Sequence, residues 1–197
     1  MRTNKGQIWI SAVLYMALGV IVLTIVLAAG VPMIEKMKDK NSFAQAKTVF
    51  FTLDDNIKNV INEGPGSRRY IAPFEVKAGE FKVDEENGFL VWSLKTKAKL
   101  MEPSYDFTQT ALVDPPRIPL FQEGALYLFA QDTNIVDEYV VNLLLDYSTM
   151  ANIIVDSPFT GPFSGTYSLT IEHSGTYNPP DAPVCPNCPV ITLRVMP

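Results

Sequence analysis

Cys185 and Cys188 enclose a proline and an asparagine in the run CPNC. At that spacing two thiols close a short disulfide, exchange electrons with a substrate, or supply half of a zinc site. A structural zinc ion wants four ligands, and the chain holds no second cysteine pair; His173 and Asp181 would complete a set only if the fold happened to gather them. A redox pair of the thioredoxin kind sits where a helix starts after a strand, whereas prolines at 186 and 189 surround this pair in a loop between strand-like runs. A loop-closing disulfide is therefore expected ahead of free thiols, a metal site and redox catalysis. Formation of that disulfide favours an extracytoplasmic setting for this part of the chain.

Other residues capable of chemistry are few. His173 is the only imidazole, so any Ser-His-Asp arrangement has to use it. The acidic runs Asp54-Asp55 and Asp84-Glu85-Glu86 fall on an amphipathic helix and at a hairpin tip, where solvated charge is expected rather than acid-base catalysis. In EGPGSRRY, residues 63–70, glycines stand beside Arg68 and Arg69, but the Lys-Ser/Thr and helix start of a phosphate loop are missing, so a connecting turn is expected. The formal net charge of -5, without a basic patch interleaved with aromatics, argues against nucleic acid as a partner. No catalytic residue, resident metal or cofactor is expected.

The elements that position these groups begin with a membrane-like segment. Residues 8–34 carry no charge, and their polar side chains are only Ser11, Tyr15 and Thr24. The stretch exceeds the roughly 20 residues that cross a bilayer as a helix. LAAG at 27–30 imitates a signal-peptidase site, but the apolar core before it is longer than the 7–15 residues or so of a secretory signal. Six residues stand in front of Gln7, with Arg2 and Lys5 basic and Gly6 last, and Gln7 leads straight into the apolar run.

That boundary resembles the class III signal peptide of archaeal type IV pilins and related prepilins. The resemblance implies cleavage between Gly6 and Gln7 by a prepilin peptidase on the cytoplasmic side, with Lys5 as the basic residue before the cut. A glycine suits that position because it lets the peptidase approach the backbone closely. It further implies a single-pass membrane precursor with a cytoplasmic N-terminus, which pilus assembly machinery then builds into a filament at the cell surface by self-association of the N-terminal helix. Many pilins carry a glutamate five residues into the mature chain; Ser11 stands there here. The pairing of that carboxylate with a neighbour's N-terminal amine is therefore not carried over. Charge counting also pulls the other way, since Lys36, Lys38, Lys40 and Lys47 on the far side of the segment outnumber Arg2, Lys5 and the amine.

Beyond Pro32 the chain is charged, yet Phe43, Ala46, Phe50, Leu53, Ile57 and Val60 recur every three or four residues, a helical stripe that needs a partner surface. GPG at 64–66 supplies the stop. After it the period becomes strand-like. Residues 80–100 alternate around Asn87-Gly88, a hairpin signal. Residues 124–131 read as a strand, residues 138–148 as strand or helix, and GTYSLTIEHS and PVITLRVMP as two more strands. The expected class is α+β, a long N-terminal helix packed on a mostly antiparallel sheet of about five to seven strands. Its domains are a leader (1–6), a transmembrane or filament-core helix half (7–34), an amphipathic half (35–63) and a β-rich head (67–197). The expected function is that of a structural filament subunit, not an enzyme. The alternative is a permanently anchored single-pass protein, or a minor pilin, whose β-rich head binds a ligand or surface.

Overall fold

The computed structural model describes residues 5–102, 121–133, 135–157, 162–176 and 185–197. Most of the leader, and Asp181 in the loop before CPNC, lie outside them. Among the described residues, one helix, α1 (Lys5–Glu63), is followed by eight strands: β1 (Arg68–Asp84), β2 (Phe89–Thr96), β3 (Phe121–Glu123), β4 (Leu126–Asp132), β5 (Tyr139–Asp146), β6 (Asn152–Val155), β7 (Phe163–Thr176) and β8 (Pro189–Met196). The class is α+β. The chain divides into two units, one ending at Lys38 and one beginning at Asp39.

In the unit from Asp39 the strands form one sheet in the order β3-β4-β5-β2-β1-β7-β8-β6. Every neighbouring pair is antiparallel except β6 with β8, which is parallel. The sheet thus has more strands than the five to seven expected. Arg68 to Arg69, read from their glycine-rich surroundings as part of a turn, already begin β1, and β3 and β6 are too short to register as alternating runs. Residues 138–148, ambiguous by pattern, contain β5. Their apolar run VVNLLL suits a central strand covered on both faces: Val141, Leu143 and Leu145 share one face and Leu144 the other, all buried.

The last turns of α1 explain how the helix meets the sheet. Ala46, Phe50, Leu53, Ile57 and Val60 are buried in one cluster with Phe74, Phe81, Trp92 and Leu143, and half-buried Phe43 packs against it. The Phe50 ring meets Phe81 edge-on at 6.0 Å and Trp92 at 5.7 Å between centroids. Burial of each such side chain contributes about 1.5–3 kcal/mol. The Trp92 Nε1–H donates to the Ala78 carbonyl at 2.9 Å, so the largest core ring leaves no polar atom unmet. A smaller cluster of Phe89, Val91, Phe129 and Leu144 lies on the alternate side-chain positions of β2, β4 and β5.

Gly64 terminates α1 with φ 87°, the left-handed conformation common after a helix end. Ser67 then donates its hydroxyl towards the Val60 and Gly64 carbonyls at 2.8 and 2.7 Å. The β1–β2 hairpin closes around residues 85–88, a four-residue loop rather than a two-residue Asn-Gly turn, because Asp84 accepts bonds from both the Asn87 amide and the Asn87 side chain. Within β1, a Cβ on Gly79 would lie 2.1 Å from the Ser93 carbonyl oxygen, so the bulged strand needs glycine there.

Candidate functional site

The feature with the greatest chemical consequence is the first part of α1. Alanine, leucine and methionine favour the helix, and Ile, Val and Trp make it apolar on every side. Every residue from Ser11 to Ile34 is exposed except Gly30, which is half-buried. Trp9 is 75% exposed and Met16 77%. A soluble helix hides such residues, so a surface of this kind needs lipid or protein around it. The segment is long and apolar enough to cross a membrane. Within it the Thr24 hydroxyl donates to the Val20 carbonyl at 2.8 Å, so that polar side chain is satisfied by the helix itself. Pro32 lies inside the helix, where it lacks the N–H that would bond to the carbonyl of Ala28. A methyl group added at Gly19 or Gly30 meets nothing within 4 Å, so these two glycines leave open notches on the helix surface. The backbones of Lys5, Gly6 and Gln7 lie in the first turn of α1, while their side chains fall outside the described residues.

Searched against family models, curated proteins and solved structures, the chain matches none.

The remaining residues singled out by sequence take structural positions. Cys185 and Cys188 are joined to each other, with Cα atoms 5.5 Å apart. Asn152 at the start of β6 holds this loop twice: its Nδ2 donates to the Cys185 carbonyl at 2.9 Å and its Oδ1 accepts from the Cys185 amide at 3.2 Å. His173 is buried at a register shift in β7, and its Nδ1 accepts from the Gly175 amide at 3.1 Å. Its backbone is bonded to Ser67 and Gly66, so His173 braces the exit of α1. No group of three or more His, Cys, Asp or Glu side chains able to hold a metal occurs among the described residues. Arg68 pairs with Glu172 at 2.7 Å and Arg69 with Glu63, which commits both guanidiniums beside the glycine-rich turn.

The acidic runs divide. Asp55, Glu85 and Glu86 are exposed, and Asp84 is occupied in the hairpin loop. Asp54 corrects the expectation of a solvated charge, for it is buried. It accepts the Tyr147 hydroxyl at 2.7 Å and pairs with Lys58 at 2.7 Å. Burial, with the charge and hydrogen bond of Asp54 and the more distant charge of Asp55, pushes the Tyr147 phenol far above its ordinary value. Tyr147 is thus held as an O–H donor. It cannot serve as a base, and with no exposed face it locks α1 to the end of β5 rather than reacting. Sequence reading missed this lock, although Asp54 lies four residues after Phe50 and one after Leu53, within the buried arc of the helix.

Proposed function

We propose that this chain is a structural subunit of an extracellular type IV pilus-like filament. It is inserted as a single-pass membrane precursor with its N-terminus cytoplasmic, cut between Gly6 and Gln7 by a prepilin peptidase, and assembled by pilus machinery through its N-terminal helix. The observation that carries this reading is the exposed apolar surface of α1 from Ser11 to Ile34, on the same helix whose later residues are packed into a folded sheet. Lipid satisfies that surface in the precursor. Neighbouring copies of the helix satisfy it in a filament, and because lipid and apolar side chains are similar solvents, the exchange is close to balanced. Cleavage removes Arg2 and Lys5, the two cationic side chains that would otherwise enter the core of the helical bundle. Gly19 and Gly30 are places where neighbouring helices can approach.

N-terminal sequencing of the mature protein tests the proposal. A start at Gln7 is expected; retention of Met1, or a start near Val31, overturns it. Ser11, in the place where many pilins carry a carboxylate, favours a second reading, a permanently anchored protein or minor pilin with a β-rich binding head. Isolated filaments separate the two, since a major subunit dominates them and an anchor stays with the membrane.

A further inference from the structure

Immediately after its apolar surface, α1 alternates cations with apolar residues in the run MIEKMK, residues 33–38. Met33, Ile34 and Met37 are exposed, as are Lys36 and Lys38. Neither lysine forms an ion pair among the described residues, whereas Lys47, Lys58 and Lys77, further along the chain, each have a carboxylate partner. Asp39, the next acid along the helix, is already engaged as an acceptor by the Thr96 hydroxyl at 3.0 Å and the Lys97 amide at 2.7 Å. At the other end of the apolar stretch stands Trp9, also exposed. At ~1.5 Å per residue, Trp9 and Lys36 are about 40 Å apart along the helix. A bilayer with its headgroup regions is about 40–45 Å thick.

We infer that Lys36 and Lys38 form a contact site for anionic phospholipid headgroups in the membrane-held form, opposite an interfacial anchor at Trp9. This deepens the proposed function and rests on its reading of residues 7–34 as membrane-spanning. Interfacial aromatics favour one headgroup layer, and lysines with apolar neighbours extend along the helix to place their ammonium groups among phosphates in the other. The site gives the lysines beyond the apolar segment a role as phosphate contacts, separate from their weight in setting orientation. Glu35 beside them leaves only a small net positive charge, so the contact is local, ammonium to phosphate, and is screened by salt.

The test uses the full chain reconstituted into phosphatidylcholine vesicles with a minor share of phosphatidylglycerol. Flotation reports membrane incorporation, and electron spin resonance of spin-labelled lipids reports which lipid associates with the protein. Wild type is expected to float and to prefer spin-labelled phosphatidylglycerol over phosphatidylcholine by about two- to five-fold at low salt, with the preference lost at high salt. The K36Q/K38Q variant is expected to float equally and lose the preference, and K36R/K38R to keep it. Wild type that floats without preference, or K36Q/K38Q that retains it, overturns the headgroup site and leaves the membrane reading standing. A chain that fails to float overturns both. If K36Q/K38Q abolishes filament growth while lipid preference is unchanged, the lysines belong to an acidic surface on a second copy, and the inference is overturned.

Discussion

Two stretches of one helix carry the same kinds of side chain to opposite ends. Val22, Leu23 and Val26 in the first part of α1 are exposed, whereas Phe50, Leu53 and Ile57 in the second are fully buried. Hydrophobicity alone does not separate them. What separates them is pattern: the second stretch confines its apolar residues to one face and surrounds them with Lys, Asp, Asn and Thr, so a sheet covering one side is enough. The first is apolar all round and needs a medium on every side. Inside the unit from Asp39, complementarity is specific, down to ring edges and a buried phenol. Along residues 11–34 it is generic, as the exchange of lipid for neighbouring helices in the proposed function requires.

The largest expected effect cuts the second stretch. Phe50→Ala removes a ring seated between Phe81 and Trp92 and is expected to lower the stability of the sheet unit by about 3–5 kcal/mol in chemical denaturation of the full chain in detergent, with membrane flotation unchanged. Ile21→Lys cuts the first stretch in the opposite sense: insertion becomes less favourable by about 2.5–3.5 kcal/mol in a membrane-insertion assay, while the denaturation midpoint of the sheet unit stays put. If either substitution moves both readouts together, the two stretches are not energetically separate.

Tyr147→Phe sharpens the comparison by testing the polar lock. Loss of a buried bond to a carboxylate is expected to cost about 1.5–3 kcal/mol. Its pH signature is distinct. The folded phenol titrates above the unfolded one, so the stabilisation is fully present below the ordinary tyrosine value of about 10 and declines above it, because only the unfolded state then releases its proton. Wild type should lose stability between pH 9 and 11 more steeply than Tyr147→Phe, measured by denaturation at fixed ionic strength. The smallest effect belongs to the Cys185–Cys188 loop. It closes so few residues that replacing both cysteines with serine is expected to cost about 2 kcal/mol or less, again without altering flotation.

Much of this division was legible in the sequence, because the uncharged run over 8–34 and the spacing of Phe43, Ala46, Phe50, Leu53, Ile57 and Val60 are local signals. The hairpin near Asn87-Gly88 was legible for the same reason. Asp54 was misread since its neighbour Asp55 made the pair look like a solvated run, and burial depended on Tyr147, which lies far away in sequence. Strands β3 and β6 escaped because a strand of three or four residues has no measurable period. The candidate site itself was visible as composition, whereas the lack of ion pairs at Lys36 and Lys38 among the described residues depends on the fold.

The position of β8 between β7 and β6 has a consequence for biosynthesis. Strand β6 leaves the ribosome before β8 yet has no other neighbour in the sheet among the described residues, so residues 152–155 wait for residues 189–196 to pair with them. Meanwhile the apolar start of α1 has long been available for insertion. On the proposed membrane reading, targeting precedes closure of the sheet, and a nascent chain is tethered to the bilayer while its final strand is still being made.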